Sequence, residues 1–220
     1  MGSTSSSCKS TKYEDICDID LENISKFENA HPLNITSNAL WENKICIVLI
    51  VRRPGCIICR EQASIIKELL EFNEDVDDVY FCAIVHENIS MDVTEFQSYC
   101  AASEENDKFS MFLDKEKKFY AAQGNRWASL FDLSNWRILK ATKRALKKGL
   151  SAGSVAGNGR LLGGTLIVSS DKIIFEQREK YFGDFAFADV MLSAIHKCKK
   201  EEKVQEASKL LDLTASNGTV

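Results

Sequence analysis

The sequence predicts an α/β fold with a central mixed sheet flanked by helices, and three observations carry that expectation. "ICIVLIV" (45–51) is a near-continuous β-branched run, the pattern of a strand buried on both faces. After a break at Arg52, Arg53, Pro54 and Gly55, the apolar period becomes helical: Ile58, Ile65, Leu69 and Phe72 form one stripe, with Ile66 and Leu70 beside it. A second apolar strand, "VYFCAIV" (79–85), completes a strand–helix–strand unit whose two strands are expected to be parallel.

The remaining elements follow in chain order. Residues 1–33 read as a polar, mostly mobile leader that becomes ordered around "YEDICDIDLENISKF". "ITSNALWEN" reads as a short helix capped by Thr36 or Ser37. "MDVTEFQSYCAAS" reads as a helix and "FSMFLD" as a third short strand. A helical segment is inserted around 115–160, most strongly over 124–148. There Trp127, Leu130, Phe131 and Ile138 recur at core spacing, and Lys140, Lys143, Arg144, Lys147 and Lys148 form a solvated basic face. "GLSAGSVAGNGR" carries four glycines in twelve residues and reads as a flexible loop. "LLGGTLIVSS" and "KIIFEQRE" flank Asp171 as a β-hairpin. Phe187, Val190, Met191, Ala194, Ile195 and Cys198 mark the apolar face of a closing helix. The folded domain is therefore expected over 34–200, with 201–220 a frayed, charged and polar tail.

Composition bounds the function. The 220 residues are 45% apolar and 27% charged, as in one ordinary globular domain with tails. A net charge of −4 offers no electrostatic footprint for nucleic acid. The longest apolar run, Ile45 to Val51, is far too short to span a membrane. Without an apolar signal segment, the eight scattered cysteines are expected to be reduced, in the cytoplasm, and the sequons at Asn23, Asn34, Asn88 and Asn217 carry no meaning. Gly2 with Ser6 fits a myristoylation pattern, and Cys8 could add a palmitoyl group. Membrane attachment is expected only if these are acylated, and the same residues also read as a disordered leader.

Chemistry concentrates at Cys56 and Cys59. At a helix N-terminus residues i and i+3 share a face, so two sulfurs there can close a small ring without unwinding the helix. The first cysteine meets free amide N–H groups at the positive end of the helix dipole, and Arg52 and Arg53 add positive charge. Only the thiolate attacks, so Cys56 is expected to be the exposed nucleophile and the more buried Cys59 the resolving thiol. Arg126 is a third candidate for stabilising negative charge. A zinc site would need further ligands, but cysteines 8, 17, 46, 82, 100 and 198 supply no second pair and the three histidines are isolated. Two inert core thiols are the other alternative for the pair, and packing is the reading for Cys46 and Cys82. Cys100 and Cys198 fall on helices, and His86 on the loop after the second strand.

The element order, with a cysteine pair just past the first core strand, is what a thioredoxin-like fold requires. "VRRPGCIICREQA", "LDKEKKFY", "LLGG" before a strand, "EQREKYFGD", the text at Asp18–Leu21 and "LWE" at 40–42 together resemble the peroxiredoxin-like 2 family, from about Tyr13 through Ile195. The resemblance implies a redox-active pair at Cys56 and Cys59, no bound cofactor, and an antioxidant or redox-regulatory role drawing NADPH-derived electrons through thioredoxin or glutathione. Peroxide, endoperoxide and protein disulfide are all open as substrates. A sister branch similar to prostaglandin F synthases reduces an endoperoxide, which predicts a lipid-sized apolar cleft under 124–160. A non-enzymatic redox sensor would instead oxidise stoichiometrically, without turnover.

Departures from better-understood relatives are equally legible. Gly55 stands where thioredoxins carry Trp, and with Pro32 and Pro54 the only prolines, Gly164–Thr165 must occupy the cis-proline place. The peroxiredoxin string Pro-x-x-x-Thr-x-x-Cys does not occur.

Overall fold

The computed structural model describes residues 10–26, 32–101, 108–129 and 136–216. Gly2, Cys8, Leu130, Phe131 and Asn217 lie outside them. Seven strands form one mixed sheet: β1 (Asp20–Asn23), β2 (Asn34–Thr36), β3 (Ile45–Ile50), β4 (Tyr80–Val85), β5 (Phe109–Leu113), β6 (Gly164–Ser169) and β7 (Lys172–Arg178), in the order β2-β1-β5-β4-β3-β6-β7. β3, β4 and β5 run parallel, as expected from their two-faced burial. β6 lies antiparallel on β3, and the hairpin to β7 turns at Ser170, which takes the left-handed conformation at φ 51°.

Each face of β3 feeds its own core. Ile45, Ile47 and Leu49 pack beneath α1 (Ile57–Glu71), α2 (Ser90–Gln97), α4 (Trp136–Lys147) and α5 (Ala188–Ser216). Cys46, Val48 and Ile50 face the other side, where Ile16, Leu21, Trp41 and the Phe119 and Tyr120 side chains of α3 (Lys118–Ala122) cover them.

That second core draws on chain ahead of residue 34, within the stretch expected to become ordered. Ile16, Ile19 and Leu21 are buried, and β1 pairs with β2 and β5. Ordered chain therefore begins well before residue 34, because without it one face of the sheet would be bare. "ITSNALWEN" forms β2 and a single 3-10 turn, Ser37–Leu40, instead of an α-helix. Ser37 does not cap it; its hydroxyl donates to the Ile16 carbonyl at 2.5 Å and accepts from the Ile19 amide at 3.0 Å. At the other end, α5 continues through Ser216, so the tail is helical where it is described.

The inserted segment is helical only in part. Gly124 and Asn125 adopt left-handed φ angles of 91° and 48°, which stop α3, and Trp127 then forms a bridge with Leu161. Trp127 is half exposed, whereas Ile138 packs against the core. Phe72, Phe187 and Val190 are exposed too: Phe72 and Phe187 sit just past helix ends, where the chain leaves the packed face, and Val190 lies in the first turn of α5.

Leu21→Ala should cost about 2–4 kcal/mol in urea unfolding, the usual range for truncating a buried leucine. A change below about 0.5 kcal/mol, typical of surface sites, would show that β1 is not part of the cooperative unit.

Candidate active site

β3 delivers the chain to the site. Val51 still donates to the Ile84 carbonyl at 2.8 Å, after which Pro54, with its fixed φ and missing N–H, forces a turn. The Cys56 amide closes that turn on the Arg53 carbonyl at 3.1 Å, and the Cys56 carbonyl accepts the first helical bond of α1, from Arg60, at 3.0 Å. Cys56 is thus the N-cap of α1, and Cys59 lies one turn inside it. Its sulfur stands outside normal capping geometry, yet the Cys59 and Ile58 amides still favour its ionised form.

Arg52 meets that sulfur. Its Nη2 donates to Cys56 Sγ at 2.6 Å, its Nη1 donates to the Gly159 carbonyl at 2.7 Å, and its guanidinium lies over the Phe182 ring at 4.2 Å. The Cys56 thiol is held well below the ordinary thiol range, first by the Cys59 thiol donating toward it and then by Arg52, against the opposing effect of burial. Cys59 moves the other way: its link to Cys56 and its burial both keep it protonated. Cys56 and Cys59 are free thiols in a setting that favours the ionised form of the first and the protonated form of the second.

The other two arginines named from the sequence are placed differently. Arg53 donates to the Val155 carbonyl at 2.9 Å, and Arg126 enters the area through its carbonyl, which accepts from the Leu162 amide at 2.8 Å. Among the described residues, the Nε atoms of Arg52 and Arg53 are buried without hydrogen-bond partners.

The glycine-rich segment is not a free loop. Residues 151–159 cross the start of α1 as a strap. Arg60, fully buried, donates to the carbonyls of Pro54 and Ser151, both at 3.0 Å, and to Glu95 at 2.8 Å. Asp92 accepts from the Ser154 amide at 2.9 Å and its hydroxyl at 2.5 Å, and Glu87 accepts from the Asn158 amide at 2.8 Å. Gly153 donates to the Gly55 carbonyl at 2.9 Å; a Cβ on Gly55 would overlap the Ser154 carbonyl oxygen, so both backbones need glycine here. Cys56 is only 7% exposed, close to the 5% of Cys59, so it is not the open thiol that its position in the sequence suggests.

Glu179, just past β7, escapes sequence reasoning. It is 4% exposed and accepts from the Gly163 amide at 3.0 Å. Burial raises its carboxyl to about 7, although Arg52 pulls the other way. Nothing in "EQREK" distinguishes it from its charged neighbours. Arg60 did leave a signal: a cation in the first turn of a helix opposes the dipole and has to be paired.

The remaining candidates line the edges. His86 is buried, with its ring edge-on to Tyr120 at 5.0 Å and its Nδ1 3.8 Å from the Glu87 carboxylate. Burial lowers its pKa. Tyr120 donates to the Val51 carbonyl at 2.7 Å, tying α3 to the end of β3. At the expected cis-proline place Gly164 pairs with Ile50, Thr165 accepts from Gln62 of α1 at 2.6 Å, and a Cβ on Gly163 would overlap the Ile50 carbonyl. The sulfurs of Cys46 and Cys82 lie 3.7 Å apart in the second core, fully buried. Among the described residues, no group of three or more His, Cys, Asp or Glu side chains is placed to hold a metal ion.

Comparison with known proteins places this geometry in a family. The sequence model of the AhpC/TSA antioxidant enzyme family matches residues 66–181, beginning just downstream of the cysteine pair. Peroxiredoxin-like 2A of Xenopus tropicalis is 37% identical over 176 residues, covering 77% of this chain and 71% of that protein. The Homo sapiens protein of the same name is 36% identical over 171 residues, covering 76% and 68%. Among solved structures, peroxidoxin BcpB from Mycobacterium tuberculosis superposes with a TM-score of 0.54 at 11% identity, covering 86% of this chain and 98% of that one. A yeast mitochondrial 1-Cys peroxiredoxin gives 0.52 at 9% identity, covering 85% and 78%, and both likenesses concern the thioredoxin-like fold. The family and fold support a thiol-redox role in general terms. The chain belongs to the AhpC/TSA antioxidant enzyme family, in its peroxiredoxin-like 2 branch.

Proposed function

We propose that the chain is a thiol oxidoreductase in which Cys56 attacks the substrate and Cys59 resolves the product. One observation carries the reading: a buried guanidinium donates directly to the sulfur at a helix N-cap, 2.6 Å away. On a peroxide, the Cys56 thiolate takes the distal oxygen and becomes a sulfenic acid, while the O–O bond breaks and the second oxygen leaves as an alcohol or water after protonation. Cys59 then attacks the Cys56 sulfur, expelling water and closing a disulfide. An external dithiol, thioredoxin or two glutathiones, returns two electrons and reopens it. The Arg52 guanidinium, already on the Cys56 sulfur, is the donor placed to stabilise the oxygen that gains charge as the O–O bond breaks.

Glu179 supports the second step as a proton acceptor near Arg52 and the pair: a carboxyl that titrates around neutrality can take the Cys59 proton as that thiol becomes the attacker. The endoperoxide reading is less favoured, because residues 151–159 lie bonded onto α1 and α2 within the segment where a lipid-sized cleft is expected. The sensor reading differs from enzyme action only in turnover, which the first experiment measures.

In a coupled assay with peroxide, thioredoxin, its reductase and NADPH, Cys56→Ser should fall to the uncatalysed background. Cys59→Ser should form the sulfenic acid once and stop. Sustained turnover by the Cys56→Ser protein ends the proposal, and a single oxidation without turnover in the native chain points to the sensor.

Thiolate chemistry gives a pH test. Alkylation of Cys56 by iodoacetamide should stay fast well below the usual thiol range, and Arg52→Met should move its profile to higher pH. Each unit of displacement costs about tenfold in rate at a fixed pH below it. An unmoved profile would remove Arg52 from the thiolate's support.

Glu179 gives a stability test. Its folded value near 7 exceeds the ordinary 4.5, so its contribution is fully present below pH 4.5 and is lost as pH rises through 7. Glu179→Gln should remove a decline of up to about 3 kcal/mol between pH 4 and 8, read as the difference between two urea-unfolding series. Parallel pH dependence in both proteins would mean that the carboxyl does not titrate there.

A further inference from the structure

The outward face of α4 is the largest feature that the redox chemistry leaves unused. α4 packs inward through Ile138, Ala141 and Ala145, and Arg144 clamps it to the buried Glu61 of α1 at 2.5 and 2.9 Å. Opposite these, Trp136, Leu139, Lys140, Lys143, Leu146 and Lys147 fall on one arc of about 120° at roughly 100° per residue. Trp136, Leu139 and Leu146 are 65%, 64% and 57% exposed, an unusual loss of apolar burial for one short helix. Lys140 reaches over the Trp136 ring at 5.9 Å, keeping its ammonium at the outer edge of the apolar strip.

Charge separates this face from the rest of the molecule. Residues 136–148 hold six basic side chains and no acidic one, in a chain whose net charge is −4. A purely solvated helix has no use for three exposed large apolar residues, and among the described residues α4 alone lines this face, which leaves it without the facing wall of a protein-binding groove. A basic helix with Trp and Leu between its lysines has the composition of an interfacial helix lying flat on anionic lipid.

We propose that α4 docks the protein on an anionic bilayer surface, with Trp136, Leu139 and Leu146 entering the headgroup–acyl boundary and Lys140, Lys143 and Lys147 pairing with lipid phosphate and carboxylate groups. α4 leads through Gly149 and Leu150 directly into the strap over Cys56, so docking brings that strap toward the membrane surface.

The test is co-sedimentation of the full chain, made without acyl groups, with phosphatidylcholine vesicles and with phosphatidylcholine–phosphatidylserine vesicles. Binding should be confined to the anionic vesicles, weaken at high salt, and fall by at least about tenfold in K140E/K143E/K147E. W136A/L139A/L146A should weaken it as well, by removing the inserted surface. Both variants leave Arg144–Glu61 and the cysteine pair untouched, so circular dichroism and Cys56 alkylation should match the native protein. Equal binding to neutral vesicles, or unchanged binding by either variant, would overturn the proposal. So would failure to bind anionic vesicles while an acidic peptide such as polyglutamate is captured through the same lysines.

Discussion

A thiolate buried at the start of a helix needs a cation within reach, and Arg52 is that cation. Removing either partner would leave an uncompensated charge in a nearly dry site, which is far more costly than the pair itself. Two acids compete for this guanidinium, Cys56 and Glu179, and they resolve the competition in opposite directions. The sulfur, with the Cys59 thiol and helix amides beside it, is held ionised. The carboxyl, with only the Gly163 amide as donor, is driven toward its neutral form. A weak acid thus carries the charge while a normally stronger one keeps a share of its proton up to neutral pH.

Arg60 plays the complementary part. Standing in the first turn of α1, it opposes the helix dipole, and its cost is offset by Glu95, the nearby Asp92 and two carbonyls. Those partners lie on α2, the turn and the strap, so one buried guanidinium fixes three segments around the sulfur. Arg52 does the same on the other side through Gly159 and Phe182. The strap is held at both ends by arginines that also flank the cysteine pair.

Much of this was legible in the residues. β-branched runs mark β3 and β4 because a doubly covered strand has no use for alternation, and the change of period at Ile57 locates α1. What resisted reading depends on contacts distant in sequence. Ile16, Ile19 and Leu21 sit in polar text too short to declare a strand, and only the bare face of the sheet gives them a partner. Four glycines suggest freedom at 149–159, yet glycine equally permits close approach, and Asp92 and Arg60 decide between the two. Glu179 carries no local pattern because its role comes entirely from burial. Helical spacing also misplaces Phe72 and Phe187, since period alone cannot tell where a helix leaves its neighbour.

Six of the seven cysteines in the described chain are buried, and the Cys46 and Cys82 sulfurs nearly touch behind the sheet. While the sheet is intact, burial keeps the Cys82 thiol protonated and inert. Once the chain opens, every one of these thiols becomes available to the same oxidants that the surface meets, and a mispaired crosslink then blocks return to the native register. Oxidation of the opened chain therefore makes unfolding a one-way loss. Under oxidative conditions the protein's working lifetime is set by how fast it unfolds rather than by how stable it is at equilibrium.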